Sequence, residues 1–197
     1  MIKMEQPSFS FNSCDIGKPY YQMWKTTVGP KQMTPRQLAG AVEAANRAAL
    51  ASCGCPLVNV IINSHGSFGD MYIGGLKKPN GEFEHAMDED ELGVFGIVKP
   101  LEIATFWLVS CQAARGEYGK DFCQTLANVT GSEVIASDAS QIVTIWQGIE
   151  LFIAPYGNID DFEGTVFSFA PGRAPLKGID PETNYRLHLS GGSAWDN

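Results

Sequence analysis

The chain has 197 residues, 44% of them apolar and 18% charged, a balance ordinary for a folded domain and too apolar for a disordered one. Its 22 acidic and 14 basic side chains leave a formal net charge of −8, which argues against nucleic acid or an anionic membrane as partner, since both require a basic face. No apolar run is long enough to span a bilayer, and the length suits one sizeable core. A single domain is therefore expected over 1–197, with a core at about 34–155, an N-terminal segment at 1–33 and a C-terminal add-on at 156–197.

In chain order, Phe9-Ser10-Phe11 alternates like a short edge strand within an otherwise irregular, aromatic first thirty residues. Thr34-Pro35-Arg36-Gln37 is a helix start: Thr34 can cap, Pro35 suits the first helical position, and Gln37 completes a capping box. Leu38, Ala41, Val42, Ala45 and Ala49 share one face, which predicts an amphipathic helix over 35–52 ending near Gly54. A buried strand is expected at 57–63, then a glycine-rich loop and short hairpin from His65 to Gly75. A short helix with the acidic first turn Asp88-Glu89-Asp90-Glu91 should follow, carry Leu92, Phe95 and Val98, and stop at Pro100.

Strand 103–110, helix 117–129 ending at Gly131 and strand 132–137 complete a strand, helix, strand alternation. That is the pattern of an α/β fold with a parallel sheet. Beyond Ser140 the pattern predicts a hairpin across 142–154 and short strands at 165–169 and 185–189.

Two of these strands deliver chemistry. Val58 to Ser64 runs into His65-Gly66, and Ile103 to Ser110 runs into Cys111, so neighbouring parallel strands would bring an imidazole and a thiol to the crevice where open α/β sheets bind ligands. A nucleophilic thiol needs a base for its proton, a setting that favours thiolate, and donors for the oxyanion. His65 can supply the base. Gly66, lacking a Cβ, lets its N–H approach a substrate carbonyl. Taken singly, a cysteine after a strand also serves as core filling, and a histidine at a strand end as an ordinary loop residue.

The order His-Gly and then Cys, 46 positions apart and each after a strand, resembles the caspase-like cysteine peptidases. More closely, Ser64-His65-Gly66-Ser67-Phe68-Gly69 with Ile73-Gly74, Leu108 to Gly119, and Leu126 to Asp138 resemble the bacterial caspase-like domain known as DUF4347. The resemblance covers about residues 57–140. It implies a caspase-like α/β/α sandwich with a mostly parallel central sheet plus C-terminal short strands. It also implies that His65 is general base, Cys111 the nucleophile, and the N–H groups of Gly66 and Cys111 the oxyanion hole. Two departures stand out. The caspase sequence Gln-Ala-Cys-Arg-Gly is absent, so aspartate specificity does not carry over, and the metacaspase-type Asp two positions before the nucleophile is Val109.

The function expected is a cysteine endopeptidase forming an acyl-enzyme on a protein or peptide substrate, with no metal and no cofactor. No Lys or Arg lies within five positions of His65 and only Arg115 lies near Cys111. Asp138 ends the third strand at the same sheet edge. A substrate preference for Lys or Arg on the acyl side, met by Asp138 and helped at long range by acidic residues 82–91, is the expectation. The alternatives are that Asp138 only closes a turn, that Arg115 turns inward to select an acidic residue, and that acidic residues 82–91 form a solvated helix start.

Cys53-Gly54-Cys55 falls short of a zinc site, having no second pair. Cys123 beside Phe122 reads as packing, and His85 and His188 have no partner in the pattern. Rival readings keep the same residues: a toxin-type thiol acyl transferase such as a glutamine deamidase, or an inactive pseudo-peptidase used as an interaction module. Met1–Asn12 has no signal-peptide core and the five cysteines follow no regular spacing. The compartment expected is therefore the cytoplasm, or export as an effector without a signal peptide.

Overall fold

The computed structural model describes residues 1–16, 21–74, 86–141 and 154–181. In chain order its elements are β1 (Ile2–Lys3), β2 (Ser8–Asn12), β3 (Lys25–Val28), α1 (Pro35–Cys53), β4 (Asn59–Asn63), β5 (His65–Ser67), β6 (Asp70–Tyr72) and β7 (Ala86–Met87). A 3-10 helix (Glu89–Leu101) follows, then β8 (Thr105–Val109), α2 (Gly116–Thr130), β9 (Glu133–Ser137), β10 (Asn158–Ile159), β11 (Val166–Phe169) and β12 (Leu176–Lys177). Most of the hairpin expected at 142–154, the strand at 185–189, and both His85 and His188 lie outside the described residues.

Seven strands form the central sheet in the order β12-β11-β9-β8-β4-β2-β3. The five from β9 to β3 run parallel, and β11 and β12 extend the β9 edge antiparallel. This is the mixed α/β architecture with a mostly parallel sheet that the alternation of elements predicts. Side-chain period two sorts the strands into two faces. On one face, register aligns Phe9, Val60, Phe106, Val134 and Phe169 across the sheet, and beside them Phe11, Ile62, Leu108, Ala136 and Phe167. These residues pack with Leu38, Val42 and Ala49 of α1, Leu92, Phe95 and Val98 of the 3-10 helix, and Phe122 and Leu126 of α2. The opposite face presents Ile61, Trp107 and Ile135, covered by Ile2, Met4, Tyr21, Met23 and Ile159. The two-stranded β1-β10 ribbon supplies part of that cover.

Helix α1 begins as its sequence dictates. Thr34 Oγ1 accepts from the Gln37 N–H, Gln37 Oε1 accepts from the Thr34 N–H, and Gly54 ends the helix at φ 70°. Replacing Thr34 with alanine leaves orphan N–H groups at the first turn. The expected result is a loss of about 1 kcal/mol, read as a melting temperature lower by roughly 2–4 °C. An unchanged melting curve would contradict the cap's contribution.

Two expectations are corrected. The Phe9-Ser10-Phe11 stretch is an interior strand, because β2 pairs with both β4 and β3 and all five of its residues are buried. Its polar alternate residues do not face water. Ser10 Oγ donates to the Tyr21 carbonyl at 2.7 Å, and Asn12 Nδ2 donates to the same carbonyl at 3.1 Å. The short helix after Asp88 is a 3-10 helix, and Pro100 lies in its last turn rather than ending it. Leu92, Phe95 and Val98 recur every third residue. Three residues per turn stacks them in one straight buried stripe, whereas the 3.6 residues of an α-helix would rotate them apart. The chain leaves this helix at Glu102, in the left-handed region at φ 55°.

Candidate active site

The site follows from register. Asn63 is paired with Val109 in the parallel ladder of β4 and β8, and the Ser64 N–H continues the pairing to the Val109 carbonyl at 3.3 Å. His65 and Cys111 therefore stand two residues past an aligned pair, at the carboxyl ends of neighbouring strands. Both line one cleft. His65 is exposed and Cys111 half-buried.

After Ser64 the chain turns into the β5-β6 hairpin, closed by Phe68 at φ 38° and Gly69 at φ 91°. Two positive φ values across a two-residue loop make a type I′ turn, whose twist suits a tight hairpin. The tip is held from outside: the Arg115 guanidinium lies 4.9 Å from the Phe68 ring centroid, and a Cβ on Gly69 would sit 3.0 Å from the Tyr118 carbonyl oxygen. Across the hairpin Ser67 is opposite Asp70 and Gly66 opposite Met71. Gly66 is pressed against the other strand end. A Cβ there would overlap Ser110 Oγ, lie 2.8 Å from the Asp70 carbonyl oxygen and 3.2 Å from that of Cys111.

On the thiol side, Gln112 takes φ 58°, a left-handed conformation that non-glycine residues seldom adopt, and this bends the chain sharply just past Cys111. The loop is tied to the end of β9 by Gln112 N–H to the Ala139 carbonyl at 2.8 Å and Ala114 N–H to the Ser137 carbonyl at 3.0 Å. Cys111 Sγ donates to the Gln141 carbonyl at 3.7 Å.

The cleft contains about 80 Å³ and is lined by Ile16, Tyr21 and Val109 alongside the pair, with Asp160, Asp161 and Glu163. Among these, Tyr21 O–H donates to Asp160 Oδ2 at 3.3 Å, and Tyr21 N–H to Asn12 Oδ1 at 3.0 Å. Burial, reinforced by the Asp160 charge, pushes the Tyr21 phenol up, so it stays a donor. None of these cleft acids was singled out from sequence. Asp160, Asp161 and Glu163 form a short acidic run, but nothing in the local sequence ties it to Cys111, 49 residues before Asp160.

Asp138 stands at the carboxyl end of β9 as expected, yet its side chain is spent on the backbone. Asp138 Oδ1 accepts from the Thr165 N–H at 2.9 Å, across the join to β11, and Asp138 is not among the residues lining the cleft. Arg115 stacks on Phe68 rather than entering the cleft. Of acidic residues 82–91, Asp88, Glu89 and Asp90 line a separate opening with Asp70 and Tyr118, where burial and the Asp88 charge raise the Asp70 carboxyl above its ordinary range. All five cysteines are free thiols. Cys123 is buried, its thiol pushed up by desolvation and donating to the Ala113 carbonyl at 3.6 Å, while Cys53 is exposed. Among the described residues no helix is long and apolar enough to cross a membrane.

Residues 44–141 match the model of a family described as Domain of unknown function (DUF4347). The matched stretch contains both His65 and Cys111, whereas Tyr21, Asp160 and Glu163 lie outside it. Comparison with the curated proteins gives no match.

Proposed function

We propose that the chain is a caspase-like cysteine endopeptidase that cleaves a protein or peptide substrate through an acyl-enzyme. The observation that carries this reading is the placement of His65 and Cys111 at the aligned carboxyl ends of β4 and β8, opening on one cleft. A binding module has no need of that pair. The close approach of Gly66 to the Cys111 backbone and the bend at Gln112 support it further, the first by bringing a candidate oxyanion donor to the thiol's end of the cleft, the second by turning the chain just past the nucleophile.

In the acylation step His65 takes the thiol proton and Cys111 Sγ attacks the scissile carbonyl. The carbonyl oxygen becomes an oxyanion facing the N–H groups of Gly66 and Cys111. Collapse breaks the C–N bond, and the imidazolium returns its proton to the leaving amine. Water then adds to the thioester with His65 as base, the C–S bond breaks, and the product carboxylate and free thiol are released.

The test is intact-mass and peptide-level mass spectrometry after incubation with a peptidyl acyloxymethyl ketone, beside a panel of short peptide amides. One adduct on Cys111 with backbone cleavage of some peptides is the expected result. Labelling confined to Cys53 or Cys55, or conversion of glutamine side chains to glutamate without backbone cleavage, would overturn it.

A further inference from the structure

We infer that the cleft beside Cys111 is the pocket for the substrate residue on the acyl side of the scissile bond, that it takes a lysine or arginine side chain, and that Asp160 is the carboxylate that meets the charge. The inference rests on the endopeptidase reading for its chemistry, but the pocket has its own evidence. Its roughly 80 Å³ is far below the few hundred needed to enclose a whole small molecule, so one side chain is the natural occupant. Ile16, Val109 and the Tyr21 ring offer apolar walls for a methylene stem. Among the described residues, three carboxylates and no Lys or Arg line the same space. Ser64 and Ser110, nine-tenths or more buried, also line it, and their hydroxyls have no hydrogen-bond partner among the described residues.

Among the three acids, the surroundings favour Asp160. Asp161 is 71% exposed and paired with the Met1 amine at 2.7 Å. Glu163 is braced, among the described residues, through its backbone alone, its N–H donating to Gln141 Oε1 at 3.3 Å and its carbonyl accepting from Ser137 Oγ, contacts that hold the segment without orienting the carboxylate. Asp160 is half-buried and oriented by the Tyr21 hydroxyl, whose own backbone is fixed by Asn12. Phe162 stacks on Trp107 with centroids 6.4 Å apart, anchoring the acidic segment to the sheet. A carboxylate held in place gives a charge-assisted bond with less ordering cost than a free one.

The experiment compares peptides with arginine, lysine, norleucine or aspartate at the acyl-side position, reading kcat/KM for wild type, Asp160→Asn and Asp138→Asn. Binding of N-acetyl-arginine methylamide and its norleucine counterpart is followed in parallel by NMR titration. Wild type is expected to prefer the basic residues over norleucine, Asp160→Asn to shrink that ratio by about 10²-fold, and Asp138→Asn to leave it unchanged. A wild-type preference for aspartate or norleucine, or a basic preference that survives Asp160→Asn, overturns the pocket while leaving the peptidase standing. Selective binding of the arginine amide that Asp160→Asn abolishes, with no peptide cleaved, supports the pocket and defeats the peptidase. Absence of both cleavage and selective binding overturns the inference.

Discussion

Replacing His65 with alanine is expected to lower kcat for peptide hydrolysis by about 10²- to 10⁴-fold, the range that a positioned general base contributes. The loss should appear mainly in kcat, because the imidazole acts on the thiol proton and the leaving amine rather than on the bound side chain. His65 is exposed on a hairpin edge, so folding stability should change by less than about 0.5 kcal/mol, and a melt on the same sample separates the two effects. The protein carries its own standards for a second measurement. Iodoacetamide reacts through thiolate, so in the wild type Cys111 should be alkylated faster than the exposed Cys53, and the buried Cys123 should not react while the fold is intact. In the variant the Cys111 rate should fall while the Cys53 rate holds, and added imidazole should restore part of the hydrolysis. Unchanged hydrolysis, or equal slowing of Cys53 and Cys111, would remove His65 from the role of base.

The elements that could be read from sequence are those whose causes are local. The capping box at Thr34 and Gln37, the glycine ends of α1 and α2, and the apolar strands β4 and β8 each carry their signal within a few residues. All were found where expected. The arrival of His65 and Cys111 at the ends of neighbouring strands is legible for a related reason: two apolar strands separated by a helical segment predict parallel neighbours, and register does the rest.

What escaped depends on distant partners. Ser10 and Asn12 of β2 look solvent-facing until Tyr21 and Thr26 supply their hydrogen bonds. Leu92, Phe95 and Val98 satisfy the i, i+3 step of an α-helix as well as a 3-10 helix, and only the continued three-residue step distinguishes the two. Asp138 was placed at the correct sheet edge, but the antiparallel arrival of β11 supplies the Thr165 N–H that occupies it. The cleft's acids reach Cys111 through Phe162 stacking on Trp107 and the ribbon of β1 with β10, contacts that no local pattern encodes.

Gly66→Ala is expected to cut kcat/KM by about 10²-fold or more, although alanine adds only a methyl group. No unusual φ is involved, since Gly66 is not among the residues in the left-handed region. The cause is space: the new Cβ overlaps Ser110 Oγ and meets the Asp70 carbonyl oxygen at 2.8 Å, with that of Cys111 at 3.2 Å. The Ser110 and Cys111 contacts push the β5-β6 hairpin away from the end of β8, and the Asp70 carbonyl, which belongs to β6 of the same hairpin, forces the hairpin itself to distort. His65 and the Gly66 N–H then move together away from Cys111, and a displacement near 1 Å at reacting groups costs about 10²-fold. Overpacking also destabilises, by about 1–3 kcal/mol, so activity must be measured on folded protein. Gly40 provides the compensation. It lies within α1 with nothing inside 4 Å of an added Cβ, so Gly40→Ala should return roughly 0.5–1 kcal/mol without touching the site. In that background the Gly66→Ala defect should persist. Ser110→Ala added to Gly66→Ala should recover only part of the rate, because it removes the hydroxyl overlap and leaves the Asp70 carbonyl in place. Wild-type activity in Gly66→Ala, or full recovery from Gly40→Ala alone, would show that contact between the two strand ends does not set the geometry of the pair.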